Sequence, residues 1–274
     1  MKEQVKFLSD QVVTCIPITP NCEKMLYEQV RQAEQKKPDL IEWRLDFFAG
    51  MEQLRAGMCP AAGEKLTAGM LVQAKALAGR CRLLLTLRHP LESGKERNVG
   101  GESDAKADAI LPSLPGDMSI LEELLQTGCA DYVDIEMARA KCFIEEVRGL
   151  CERYGAALIL SHHNFVRTPA AEQLLSVFRR EEALGAEILK VAVMPQAPED
   201  VQCLREAVAE YRRSAGPLAK PVIAISMGEY GKDTRLHPEY FGSCLTFVTD
   251  GEGTAPGQVS MEEYRQVAEM IQTR

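Results

Sequence analysis

An α/β fold closed as a (β/α)8 TIM barrel, one domain over residues 1–274, is what this sequence predicts, on three observations. Eight short runs rich in β-branched and aliphatic residues recur along the chain. Amphipathic helical patterns fill most intervals between them, and no G-x-G-x-x-G turn follows the first run. Strands that alternate with helices pair in parallel, and eight such units close on themselves, whereas an open dinucleotide-binding sheet would begin with that glycine-rich turn.

The strands are QVVTCIPI (11–18), LIEWRLDF (40–47), RLLLTLR (82–88), YVDIEM (132–137), ALILSHHNF (157–165), EILKVAVM (187–194), PVIAISM (221–227) and LTFVT (245–249). Helical patterns include 22–35, 141–154 and 171–184. Two segments break the rhythm. Residues about 92–118 are polar and glycine-rich after strand 3, and DGEGTAPGQ, about 250–258, follows strand 8. Both leave C-terminal strand ends, the face where such barrels place their chemistry; the segment 250–258 is expected to cover the substrate, while 92–118 could cover the site too but reads by default as an ordinary solvated loop.

Composition narrows the function. A net charge of −8 argues against a generic nucleic-acid surface. No apolar stretch is long enough to span a membrane, and the start MKEQVKFLSDQ lacks a signal-peptide core, so a cytoplasmic enzyme is expected. The nine cysteines are odd in number and include no C-x-x-C, which predicts reduced, mostly buried thiols. The four histidines have no metal-ligand spacing, so no metal is expected.

Alternate strand residues face opposite sides. Glu42, Arg44 and Asp46 therefore share one side of strand 2, opposite Trp43, Leu45 and Phe47. Strand 3 adds Thr86 and Arg88, strand 4 Asp134 and Glu136, strand 5 Ser161 and His163, and strand 6 Lys190. Each has an ordinary reading. Lys190 alone would be a strand-end lysine reaching solvent, and His163 a hydrogen-bonded core histidine. Glu42, Arg44 and Asp46 would be structural ion pairs, and Asp134 and Glu136 would orient arginines or the lysine. A barrel filled for stability alone uses Val, Ile and Leu at such places, so the set together points to an enzyme.

In that order the motifs E-W-R-x-D (42–46), T-x-R (86–88), D-x-E (134–136), S-x-H-N-F-x-x-T-P (161–169), K-x-A-V-M-P (190–195), I-S-M-G (225–228), F-G-S (241–243) and A-P-G-Q (255–258) resemble the type I 3-dehydroquinate dehydratases. The resemblance implies a homodimeric barrel without metal or organic cofactor, whose only partner besides its second copy is the small-molecule substrate. It implies removal of water from 3-dehydroquinate to give 3-dehydroshikimate, a step of the shikimate pathway toward aromatic amino acids. It also implies residue roles. Lys190 forms a Schiff base, and His163 is the general acid and base. Glu92 assists it, while Glu42, Arg44 and Arg88 hold substrate hydroxyls. Arg235, Thr254 and Gln258 hold the substrate carboxylate, and His162 faces away from the pocket. Departures from the family pattern are Thr234 and Thr254 where serines are usual, and RHPLESGKERNVGG where R-x-x-x-E-G-G is usual. Glu92 keeps the offset from Arg88, and Glu96 is the alternative if the insertion precedes it. A different Schiff-base barrel enzyme such as an aldolase has no reason to carry all eight motifs. A non-catalytic sensor on the same fold would tend to lose the lysine or the histidine.

Overall fold

The computed structural model describes residues 12–61, 65–92, 110–250 and 257–272. All eight expected strands are present: β1 (Val13–Ile18), β2 (Leu40–Arg44), β3 (Arg82–Thr86), β4 (Tyr132–Glu136), β5 (Ala157–Asn164), β6 (Ile188–Val193), β7 (Val222–Ser226) and β8 (Leu245–Thr249). Helices α1 (Glu23–Gln35), α2 (Met51–Arg55), α3 (Ala68–Leu77), α4 (Asp117–Leu125), α5 (Lys141–Tyr154), α6 (Ala171–Ala183), α7 (Pro198–Ala215), α8 (Asp233–Leu236) and α9 (Met261–Gln272) lie between or after them. This succession of eight strand–helix units with parallel pairing is the predicted (β/α)8 class.

The chain forms two compact units whose boundaries cut through β1 and β5. One contains Pro17–Ile159. Its β2, β3 and β4 run parallel, with Arg44 beside Thr86 and Thr86 beside Asp134 in register. Neighbours in register on parallel strands project to the same face, so these three polar groups form one row. The apolar residues between them pack outward with the helices; Trp43, Leu83, Leu85, Val133 and Leu71 are buried. The α1 and α3 helices pack together, as do α4 and α5.

The other unit contains Leu160–Arg274 with the start of β1. Lys190 on β6 is in register with Ile223 on β7, and Cys15 on β1 with Phe247 on β8. The α6 helix covers β6 and α7 covers β7. Fully buried Leu189, Val191 and Val193 anchor β6, while Lys190 and Ala192 hold the alternate positions.

Several boundaries differ from the expected ones for local reasons. Strand 2 ends at Arg44 rather than Phe47, because Leu45–Phe47 turn as a 3₁₀ helix and bring Asp46 back to grip Arg44. The segment 92–118 is not all loop. Pro90–Glu92 is a 3₁₀ turn, Leu111 bridges to Arg139, and α4 begins at the fully buried Asp117. Glu96 lies outside the described residues. A short β9 (Val259–Ser260), parallel to β8, escaped prediction because two residues carry no periodicity. The cysteines are all free, but only Cys15, Cys81 and Cys151 are buried; Cys59 and Cys142 are exposed, which corrects the expectation of mostly buried thiols.

Candidate active site

In the first unit the predicted charges sort into distinct pairs. Glu42 on β2 is buried and accepts a hydrogen bond from Thr86 Oγ1 at 2.6 Å. Arg44 instead forms a fork with Asp46, from Nε to Oδ1 at 2.9 Å and Nη2 to Oδ2 at 3.0 Å, and its guanidinium lies 5.1 Å from the Phe47 ring centre. Arg44 and Asp46 are thus paired with each other, and Glu42 with Thr86.

Arg88, just past β3, is 4% exposed. Taking an isolated guanidinium out of water costs several kcal/mol, which only close anions can offset. Among those that hold Arg88, Asp134 Oδ1 meets Nη2 at 2.9 Å and Glu136 Oε1 meets Nη1 at 3.1 Å. Burial alone would lower its pKa, but these carboxylates reverse the direction and hold the cation firmly charged. Glu92 closes the following 3₁₀ turn, its N–H donating to the His89 carbonyl at 2.9 Å. Its carboxyl is pushed up to about 8, first by burial and then by Glu136, against the opposing pull of Arg88.

In the second unit, Lys190 is 5% exposed within a strand of buried residues. Its Nζ lies 4.6 Å from the centre of the Phe247 ring, the face of an aromatic that attracts positive charge. Its backbone N–H donates to Glu181 Oε2 of α6 at 3.2 Å, which leaves that carboxylate on the main chain of β6. His163 on β5 is half-buried and stacks on Phe165 with centroids 5.8 Å apart, whereas His162 beside it is buried.

Arg235 on α8 is 4% exposed and donates from Nη1 to the Ser226 carbonyl at 3.0 Å. Desolvation lowers its pKa to about 10, so at neutral pH it remains a cation held in a place that disfavours charge. Thr234 ties α8 to β7, donating to Gly231 O at 2.7 Å and accepting from Ser226 N at 3.2 Å; the threonine at this position keeps the hydroxyl's work. Thr254 lies outside the described residues, while Gln258 is half-buried. Preceding it, Gly257 has φ +72°, and a Cβ there would stand 2.3 Å from the Gly228 carbonyl oxygen. Only glycine allows this approach and this backbone. Gly257→Ala should therefore displace Gln258 and raise KM for substrate about tenfold or more, with a smaller effect on kcat; an unchanged KM would reject the role of this contact.

Sequence reasoning missed Phe247, Arg55, Asp117, Arg139 and His89. Phe247 had a signal, as the large side chain at the centre of LTFVT. The others are lone charges or a lone imidazole without a motif. Among the described residues no three His, Cys, Asp or Glu side chains are grouped as a metal ion would need, and no helix is long and apolar enough to cross a membrane.

Comparison with known proteins adds a second line. The family model for type I 3-dehydroquinase matches residues 14–274. A 3-dehydroquinate dehydratase of Geobacillus thermodenitrificans is 35% identical over 257 residues, covering 94% of this chain and 90% of the relative. The crystal structure of 3-dehydroquinate dehydratase from Geobacillus kaustophilus superposes with a TM-score of 0.77 at 31% identity, covering 96% of this chain and 92% of that one. A type I 3-dehydroquinate dehydratase structure from Clostridium difficile, with covalently modified comenic acid, also gives 0.77, at 29% identity over 96% and 93% of the two chains.

Proposed function

Because the chain belongs to the type I 3-dehydroquinase family, a family of hydro-lyases that remove water from 3-dehydroquinate in the shikimate pathway, we propose that it does so through a Schiff base on Lys190. The observation that carries this reading is the lysine itself, an amine buried in an apolar strand over an aromatic ring. The covalent ligand of the Clostridium difficile relative is in keeping with it. The whole chain acts as one catalytic domain.

The Lys190 amine adds to the C3 ketone of the substrate and water leaves, giving an iminium. That cation withdraws electrons from C2, whose proton is too weakly acidic beside a plain ketone. His163 takes the C2 proton, and the electron pair flows into an enamine. The enamine then expels the C1 hydroxyl, which leaves as water with the proton His163 has just gained. Both transfers use one imidazole on one face, so the elimination is syn. Water hydrolyses the conjugated iminium to 3-dehydroshikimate and frees the amine. An imidazole suits this traffic because its ordinary pKa, about 6.5, lies near working pH.

Glu42, Arg44 and Arg88 hold the substrate hydroxyls, and Glu92, whose carboxyl burial and Glu136 push upward, assists the proton transfers. Arg235 holds the carboxylate together with Thr254 and Gln258. A desolvated guanidinium gains more from an arriving anion than a hydrated one does, and its fork matches a carboxylate. The enzyme works as a homodimer in the cytoplasm and needs neither metal nor organic cofactor.

The test follows the conjugated enone by ultraviolet absorbance with no metal or nucleotide added. Arg235→Ala should raise KM for 3-dehydroquinate by about a hundredfold, the scale of a lost buried charge pair, with a lesser change in kcat. Unchanged KM would remove Arg235 from the carboxylate site.

A further inference from the structure

Behind Arg88 lies a closed circuit of buried charge that the reaction scheme does not use. Arg55 on α2 donates from Nη2 to the Arg88 carbonyl at 2.8 Å and from Nε to Asp117 Oδ1 at 2.9 Å. The other oxygen of Asp117, on α4, accepts from Arg139 Nη2. Arg139 Nη1 stands 3.7 Å from Glu136 Oε2, and Glu136 Oε1 returns to Arg88 Nη1 and to the His89 N–H, the latter at 2.6 Å. All these side chains are more than nine-tenths buried. The circuit thus grips the Arg88 main chain, its side chain and the next N–H together.

The approach of α2 to α4 is built for this. Gly116 donates its N–H to the Arg55 carbonyl at 3.0 Å, and a Cβ on it would fall 1.8 Å from the Leu54 carbonyl oxygen. Any larger residue would push Asp117 away from Arg55.

Resting on the reading that Arg88 and Glu92 serve the dehydration, we propose that Arg139, Asp117 and Arg55 are positioning residues, which fix Arg88 and set the charge that Glu92 faces. Three guanidiniums, Arg55, Arg88 and Arg139, balance the three carboxylates bonded to them, Asp117, Asp134 and Glu136. Glu92 is a further carboxyl beside this balanced set, and Glu42 also acts on Arg88. Burial, then Glu136 and Asp134 from β4, push the Glu92 carboxyl upward, while Arg88 from the end of β3 and Arg139 from the turn after β4 pull it back down. Neighbouring His89 adds no charge, because burial and Arg139 keep its imidazole below its ordinary pKa. Its Nδ1 accepts from the Leu91 N–H at 3.2 Å, so the neutral ring carries its proton on Nε2.

Removing a cation or an anion from a balanced set must move Glu92 in opposite directions. The measurement is a carbon-13 titration of glutamate side-chain carboxyls in the full-length enzyme, with Glu92→Gln identifying the Glu92 signal by its loss. Arg139→Gln should raise the Glu92 midpoint by about one pH unit, and Asp117→Asn should lower it by about one. The double variant and Arg139→Lys should both return it close to the parent value, which keeps the test available if Arg139→Gln folds poorly. A circuit that merely braces the fold would change melting temperature in these variants and leave the titration in place. An unmoved midpoint, or shifts of the same sign, would overturn the proposal. Turnover of Glu92→Gln decides the underlying reading separately. Retained activity with an intact alkaline limb near pH 8 would remove Glu92 from the reaction, whatever its titration shows.

Discussion

Treated with 3-dehydroquinate and borohydride together, the protein should lose activity irreversibly and gain the reduced substrate on the peptide that carries Lys190. Hydride adds to the iminium carbon and converts a reversible C=N bond into a secondary amine, so the label marks the nitrogen that formed the bond. Lys190→Ala should lower kcat by more than about 10⁴-fold, which corresponds to about 5 kcal/mol of barrier. It should also abolish the label. The expectation rests on two features of the lysine's surroundings. Its side chain is only 5% exposed, within a strand of buried residues that includes Leu189 and Val191. The Phe247 ring, 4.6 Å from Nζ, attracts positive charge at the same nitrogen. In the proposed reaction that ring would face the iminium cation, the species through which the C2 proton becomes acidic. Phe247→Leu keeps the burial and removes the ring. Trapping on another lysine, or no trapping at all, would refute the assignment of Lys190.

This lysine's place was legible in the sequence, since ILKVAV is an apolar run interrupted by a single amine, which lies 5% exposed on β6. The strands were legible for the same reason: apolar runs bounded by polar punctuation survive any detail of packing, and all eight were found. What could not be read was pairing at a distance. Arg55 and Asp117 are 62 residues apart and share no motif, so nothing in the sequence says that the 92–118 segment ends in a buried aspartate clasped by α2. The alternation of LIEWRLDF misled at its end, where a local fork between Arg44 and Asp46 turns the chain out of the strand. Motif matching located Glu42, but only coordinates reveal that its carboxylate is tied to Thr86 rather than to the adjacent arginine.

His163→Ala should reduce turnover by roughly 10²- to 10⁴-fold, the usual scale for a positioned acid–base group. Imine formation on Lys190 should persist, because carbinolamine chemistry does not need the C2 proton to leave. The variant should therefore still take up borohydride label while failing to produce enone, a separation that a misfolded protein cannot mimic. His162 supplies the control. It neighbours His163 on β5, so strand alternation turns it to the other face, and it is buried where His163 is half-buried. Replacing His162 by alanine opens a cavity and should lower the melting temperature, while kcat stays within a few fold of the parent. The two adjacent substitutions thus have opposite signatures, chemistry lost with stability kept at 163, and stability lost with chemistry kept at 162. If His162→Ala abolished turnover while His163→Ala preserved it, the face of β5 presented to substrate would be the reverse of the one proposed, and the acid–base role would pass to the buried histidine.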